Sequence, residues 1–300
     1  MPYTRVDFTK YVVISVWFGC NNDCSICMLG DLKRQLSGIA PEEFRRLLQT
    51  IRAAGQHENL ILSGAEVTTC DGLEEYIEAA AGLGWFKRIQ IQTNGRRLAD
   101  PDYAARLVDC GLNEFFVSVQ GLEETHDLTT RRPGAFCETT AGLRNLAALD
   151  VNVIGATVLT RANLPEIPRL VTLLAEERVS ELQLWNFFPM EPADPRDLVV
   201  SLPQLLRLLE ALQPILTRAG KPLVLKGFPQ CLAPEPPIFF DSWFPATVLP
   251  QPFWHQFSQS GWGACVWRDG GQCRSRDCWG LSTAYRAKYG DERELLSPLR

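Results

Sequence analysis

Histidine is scarce in this chain. His57, His126 and His255 are its whole supply, so there is no histidine pair of the kind that completes many zinc sites. Long apolar runs are missing too: none reaches the roughly 18 residues of a membrane span, which argues against a helical membrane anchor. The opening "MPYTRVDFTK" leads into only eight largely apolar residues and then cysteines. No small-residue cleavage site follows, so this stretch does not read as a secretion signal. Nor is there a basic excess. Lys and Arg total 30 against 35 Asp and Glu, a formal charge of -5, which argues against a nucleic-acid-binding surface. The expected compartment is the cytoplasm, where thiols stay reduced and clustered cysteines bind metal or do chemistry.

What is present is 300 residues, 46% hydrophobic and 22% charged, enough for one large α/β domain or a domain with an appendage. From residue 11 to about 227, apolar runs alternate with segments of helical period. "YVVISVWF", "NLILSG", "FKRIQIQT", "EFFVSV", "VNVIGATVL" and "ELQLWNFFPM" read as strands buried on both faces. Between them, segments such as "PEEFRRLLQTIRAAG" carry apolar residues three and four apart and stop at glycine. Alternating β and α elements predict a parallel sheet with helices outside. Six units are too few for a closed eight-fold barrel, so the expected fold is α/β, a partial (βα)6 TIM-like barrel over residues 1–227. Residues 228–300 are dense in Pro, Gly and aromatics without a sustained period, and are expected to form an irregular Cys-rich extension.

Ten cysteines, at 20, 24, 27, 70, 110, 137, 231, 265, 273 and 278, divide by context. Cys20, Cys24 and Cys27 follow the first strand as C-x3-C-x2-C. Three thiolates suit three corners of a [4Fe–4S] cubane and leave one iron without a protein ligand, the open site a catalytic cluster needs. Cys231, Cys265, Cys273 and Cys278 lie in the extension and suggest an auxiliary cluster, most simply [4Fe–4S]. Zinc held by four thiolates is the competing reading. Cys70, Cys110 and Cys137 read as structural, small apolar groups.

On this cysteine loop and the strand ends the chain resembles the radical S-adenosylmethionine (SAM) superfamily. "LSGAEVTT" resembles its Gly-Gly-Glu segment, with Ser63, Gly64 and Glu66 in place and Ala65 departing from the second glycine. That methyl group is tolerable at ordinary backbone angles and strained at positive φ. "IQTNGRRL" places Asn94 at the third strand end, and "FFVSVQG" places Ser118 at the fourth. The resemblance implies that Glu66 contacts the SAM amine, Ser118 the ribose and Ile26 the adenine. Arg131, with Arg132 as the alternative, would meet the SAM carboxylate. It further implies that reduced cluster and SAM generate a 5′-deoxyadenosyl radical, with ferredoxin or flavodoxin as reducing partner. The extension resembles SPASM or twitch domains; four cysteines in place of the seven of a full SPASM pattern fit a one-cluster form. Enzymes so built frequently modify ribosomal peptides or proteins. A small-molecule or cofactor-biosynthesis role is the alternative, and a non-catalytic iron–sulfur electron carrier is a third. His126, in "HDLTTRRPGAF", is expected to orient backbone. "PPIFFDSWFPATVLPQPFWHQF" is expected to form a lid or an aromatic wrapper.

Overall fold

The computed structural model describes residues 6–232, 235–241, 243–259, 261–275 and 278–299. Strands and helices alternate along the chain: β1 (Tyr11–Trp17), α1 (Pro41–Ala54), β2 (Asn59–Gly64), α2 (Leu73–Gly82), β3 (Arg88–Thr93), α3 (Pro101–Asp109) and β4 (Glu114–Ser118). A helix pair, α4 (Glu123–Thr130) and α5 (Ala135–Ala147), leads to β5 (Asn152–Leu159), α6 (Ile167–Glu176), β6 (Glu181–Asn186), α7 (Leu202–Ala219) and β7 (Leu223–Lys226). Two short strands, β8 (Ile238–Phe240) and β9 (Ala246–Val248), precede α8 (Gln251–Gln259), the single turn α9 (Val266–Asp269) and α10 (Thr283–Tyr289).

Local chemistry sets the helix ends. Pro41 starts α1 where its missing N–H costs nothing, and Gly55 ends it at φ 66°. Asp100 caps α3 by accepting from the Asp102 and Tyr103 N–H groups. Ser201 and Gln204 form a reciprocal capping box at the start of α7.

Among the described residues the sheet has nine strands in the order β8-β7-β6-β5-β4-β3-β2-β1-β9, and each pairing is parallel. This is the expected partial barrel with three strands beyond the six read from the sequence. Strand periodicity sorts the side chains. Val12, Ile14 and Val16 of β1, with Leu60, Leu62, Ile89 and Ile91, join Phe44, Leu48 and Leu107 of the helices in the main core. Tyr11, Val13, Ile61, Phe116 and Ile154 form a second apolar cluster, of opposite parity along their strands, inside the curve of the sheet. There Glu114, fully buried, accepts from Tyr11 at 2.7 Å, Gln90 at 2.7 Å and Asn152 at 2.5 Å, and pairs with Arg88.

β8 and β9 are consecutive in the chain and lie at opposite edges of the sheet, so the chain between them, with Asp241 and Trp243 among its described residues, crosses the seam between those edges. Fully buried Lys226 clasps that crossing. Its ammonium lies 2.9 Å from the Asp241 carboxylate, donates to the Trp243 carbonyl at 2.7 Å and sits 4.2 Å from the Phe8 ring centroid. A buried charge keeps its place when paired and hydrogen-bonded, and removing one partner strands the other. Lys226→Met is therefore expected to cost about 3 kcal/mol. Adding Asp241→Asn should recover part of that loss in urea denaturation, and strictly additive losses would show that the two are not coupled.

Candidate functional site

The loop after β1 carries Cys20, Cys24 and Cys27 at the C-terminal edge of the sheet, all three half-buried. The Cys27 N–H donates to the Cys24 carbonyl at 3.2 Å, and the Asn22 N–H points at the Cys20 sulfur at 3.3 Å. Burial pushes the Cys24 thiol up to about 12, and the neighbouring Cys27 and Cys20 thiolates add to the shift. Cys20 is raised by burial as well, with Glu66 and Cys27 adding and Lys33 opposing. Thiols that resist ionising together are stabilised as thiolates by metal cations between them, so this donor set fits an iron–sulfur cluster.

The loop is held by bonds that the sequence did not reveal. Asp23 and Ser25 donate their N–H groups to the Thr130 and Thr129 carbonyls at 3.1 and 2.8 Å, at the end of α4. Arg96 donates to the Asn21 carbonyl at 2.7 Å and to Asn22 Oδ1 at 2.9 Å, and its Nε lies 2.5 Å from Glu138. Lys33 reaches the Asn22 carbonyl at 3.4 Å, and Arg196 donates to the Ser25 carbonyl. Arg96 lies two residues after Asn94 in "TNGRR", and that proximity was the one available signal.

The β2 end is strapped to the same loop. Ala65 N–H donates to the Trp17 carbonyl and Glu66 N–H to the Gly19 carbonyl, both at 2.9 Å. Gly64 has φ 142°, and a Cβ there would fall 1.8 Å from the Trp17 carbonyl oxygen, so glycine is required. Ala65 is not among the non-glycine residues at positive φ, so its methyl group is unstrained; it packs against the cluster of Phe18, Leu29 and Phe253. Glu66 is 1% exposed. Its Oε1 accepts from the Thr68 N–H at 3.1 Å and from the Thr68 and Thr93 hydroxyls at 2.6 Å, while Oε2 accepts from the Asn94 N–H at 2.6 Å. Burial pushes this carboxyl up and the four bonds partly offset it.

Asn94 completes the link: its side-chain amide donates to Asn21 Oδ1 at 2.7 Å. The Ser63 hydroxyl donates to Gln92 at 2.8 Å, and Ser118 ends β4 in register with Ala156 of β5. Ile26 packs at the border of the main core. The structure thus ties the cysteine loop to Glu66 through Gly19 and to Asn94 through Asn21, with Ser63, Gly64, Ala65 and Ser118 along the same strand ends. Arg131 lies outside that group. At φ 54° it caps α4, with its side chain 59% exposed and 3.5 Å from Asp23. Arg132 instead lines a cavity of about 640 Å³ together with Cys20, Asn22, Lys33 and Trp17.

Cys231, Cys265, Cys273 and Cys278 line one small enclosed cavity with Trp267, Ser275 and Leu296. The Gln230 and Gly280 N–H groups point at the Cys278 sulfur, each at 3.4 Å. Burial raises the Cys231 thiol, with Cys278 and Cys265 adding to the shift. Among the described residues no three His, Cys, Asp or Glu side chains converge as ligands of a metal ion. A cubane holds its thiolates apart at separate corners, so four sulfurs spread around one cavity suit it as a donor set. Of the other cysteines, Cys70 is buried in the main core, whereas Cys137 is exposed on α5, contrary to its reading as a buried apolar group.

Three cysteines on the loop after the first strand of a parallel partial barrel, with that loop bonded through Gly19 and Asn21 to Glu66 and Asn94, place a candidate metal site at the strand C-termini. Residues 14–174 match the sequence profile of the Radical SAM superfamily, and the chain belongs to that superfamily. It is a radical SAM enzyme, with SAM and a [4Fe–4S] cluster as cofactors. It is 26% identical over 152 residues to the sporulation killing factor maturation protein SkfB of Bacillus subtilis, a match covering 51% of this chain and 36% of that protein. It is 28% identical over 192 residues to the Fe-coproporphyrin III synthase of Methanosarcina barkeri, covering 62% and 47%. The fold is similar to that of Streptococcus suis SuiB bound to its precursor peptide SuiA. There the TM-score is 0.62 at 15% identity, covering 78% of this chain and 49% of SuiB. The chain spans roughly a third to a half of the length of these two sequence relatives. Among the described residues no helix is long and apolar enough to cross a membrane.

Two predictions follow from this geometry. Gly64→Ala is expected to cost about 3 kcal/mol or more through strain and collision, whereas Ala65→Gly should cost about 1 kcal/mol. Equal urea midpoints for the two variants would contradict the assignment. His126, 1% exposed, accepts the Gln120 N–H at Nδ1 (3.1 Å), and burial lowers its pKa to about 4. Below the ordinary value the unfolded chain takes up this proton more readily, so stability is full near neutrality and falls as pH drops toward 4. Between pH 7 and 5.5 the loss should be about 1 kcal/mol, and His126→Gln should abolish it in urea titrations at both pH values.

Proposed function

We propose that this enzyme abstracts a hydrogen atom from a ribosomally made peptide, with an auxiliary [4Fe–4S] cluster in the extension. The observation that carries the reading is the cysteine loop tied to Glu66 and Asn94 at the strand C-termini, the edge where ligands of parallel α/β sheets gather. Cys20, Cys24 and Cys27 would hold the first cluster at three irons. When bound, that cluster and SAM supply the 5′-deoxyadenosyl radical. Glu66 Oε2, with one donor in the structure, keeps a lone pair with which it would accept the SAM amine. Ser118 would meet the ribose and Ile26 the adenine. Arg132 suits the SAM carboxylate better than Arg131 because it shares a cavity with Cys20.

α8 packs on this edge: Phe253 lies with Phe18 and Leu29, against Cys27, Met28 and Ala65, and would shield that side of the loop from water. Cys231, Cys265, Cys273 and Cys278 would ligate the auxiliary cluster. Ferredoxin or flavodoxin would supply the electron. Similarity to SkfB, a maturation protein, and to SuiB, whose structure holds a precursor peptide, supports a peptide substrate. Similarity to Fe-coproporphyrin III synthase favours the second reading, a cofactor-biosynthesis substrate.

Anaerobically reconstituted protein should hold about eight irons, and Cys24→Ala and Cys273→Ala about four each. With dithionite and SAM, Cys24→Ala should release no 5′-deoxyadenosine while Cys273→Ala still does. Full iron in Cys273→Ala would refute the auxiliary site. Deuterium passing into 5′-deoxyadenosine from a labelled precursor peptide would support the first substrate reading; transfer only from a labelled porphyrin would support the second.

A further inference from the structure

Aromatic rings connect the two cysteine sites through one residue. From the inner face of the sheet, Phe116 of β4 meets Trp185 of β6 at 6.1 Å between centroids. Trp185 meets Phe244 of the seam crossing at 5.5 Å, and Phe244 meets Trp279 at 4.2 Å. A second series starts at the other site. Phe253 of α8 packs in the cluster that includes Cys27, and it stacks on Phe257 at 6.0 Å and 15°. Phe257 then meets Trp279 at 5.8 Å. Trp279 follows Cys278 directly in the chain, and the next N–H, that of Gly280, points at the Cys278 sulfur. Phe188 and Trp262 also pack on Trp279, at 5.4 and 6.1 Å.

We propose that Trp279 is the junction through which electrons pass between the barrel and the four-cysteine site. The proposal rests on the two-cluster reading above. Closely packed interiors give a continuous medium for electron tunnelling, and here both ring series meet at the indole that follows a candidate cluster ligand. One electron crosses the rings: the site it leaves is oxidised by one electron and the site it reaches is reduced by one. No bond forms or breaks, no proton moves, and no ring is oxidised as an intermediate. Trp279 is in this sense a positioning residue for the auxiliary site.

The test uses the reconstituted full chain without substrate. A flash-generated deazaflavin radical supplies one electron, and rapid-freeze EPR follows its redistribution between the two cluster signals. Trp279→Leu should slow redistribution about tenfold by opening a void in the path, with Trp279→Phe restoring most of the rate. Iron content and the two midpoint potentials should stay at wild-type values in both variants, a readout that separates coupling from damage to the site. An unchanged rate in Trp279→Leu would overturn the junction and leave the two-cluster reading intact. A wild-type protein with a single reducible cluster signal would overturn both. If Trp279→Leu loses auxiliary iron, the comparison moves to Phe257→Leu, one ring away from Cys278. That variant should slow redistribution in the same sense, and a wild-type rate there would count against the route.

Discussion

One carboxylate without access to water organises the working edge of this protein. Glu66 takes donors from its own turn, from Thr93 at the end of β3 and from the Asn94 backbone, while its N–H is given to the β1 loop. Three strand ends are fixed to one another by a group whose burial would be prohibitive unless each bond were made. Asn94 and Arg96 then carry the constraint outward to Asn21 and Asn22, between the first two cysteines. The chemistry of the site thus rests on a polar network that is itself unreactive.

Much of this arrangement was legible before the fold was known. Six strands read as apolar runs because they are buried on both faces, and C-x3-C-x2-C marks the loop through its spacing together with its place after the first strand. β7, β8 and β9 escaped notice because three or four residues carry no measurable period, and β8 and β9 are embedded in Pro- and aromatic-rich sequence. Arg96, Lys33 and Arg196 escaped because their roles depend on partners up to 171 residues away. Arginines in adjacent positions posed a different difficulty. Both are exposed; Arg131 occupies a left-handed helix cap beside Asp23, and Arg132 also borders the cavity that Cys20 lines.

The extension is joined to the barrel more closely than its irregular composition suggested. β8 and β9 add to the two edges of the sheet, and Lys226 grips the chain between them. Aromatic side chains from this region fill the space between the strand ends and the second group of cysteines, which supplies a core where regular secondary structure is short.

The way Arg96, Thr129 and Thr130 grip the cysteine loop bears on how the enzyme is assembled. A metal site whose ligands sit on a floppy segment must spend much of its binding free energy on ordering that segment, as small zinc modules do. Here part of that order comes from the polypeptide's own hydrogen bonds to Asn21, Asn22, Asp23 and Ser25, so the backbone between the cysteines is tied down independently of the thiols.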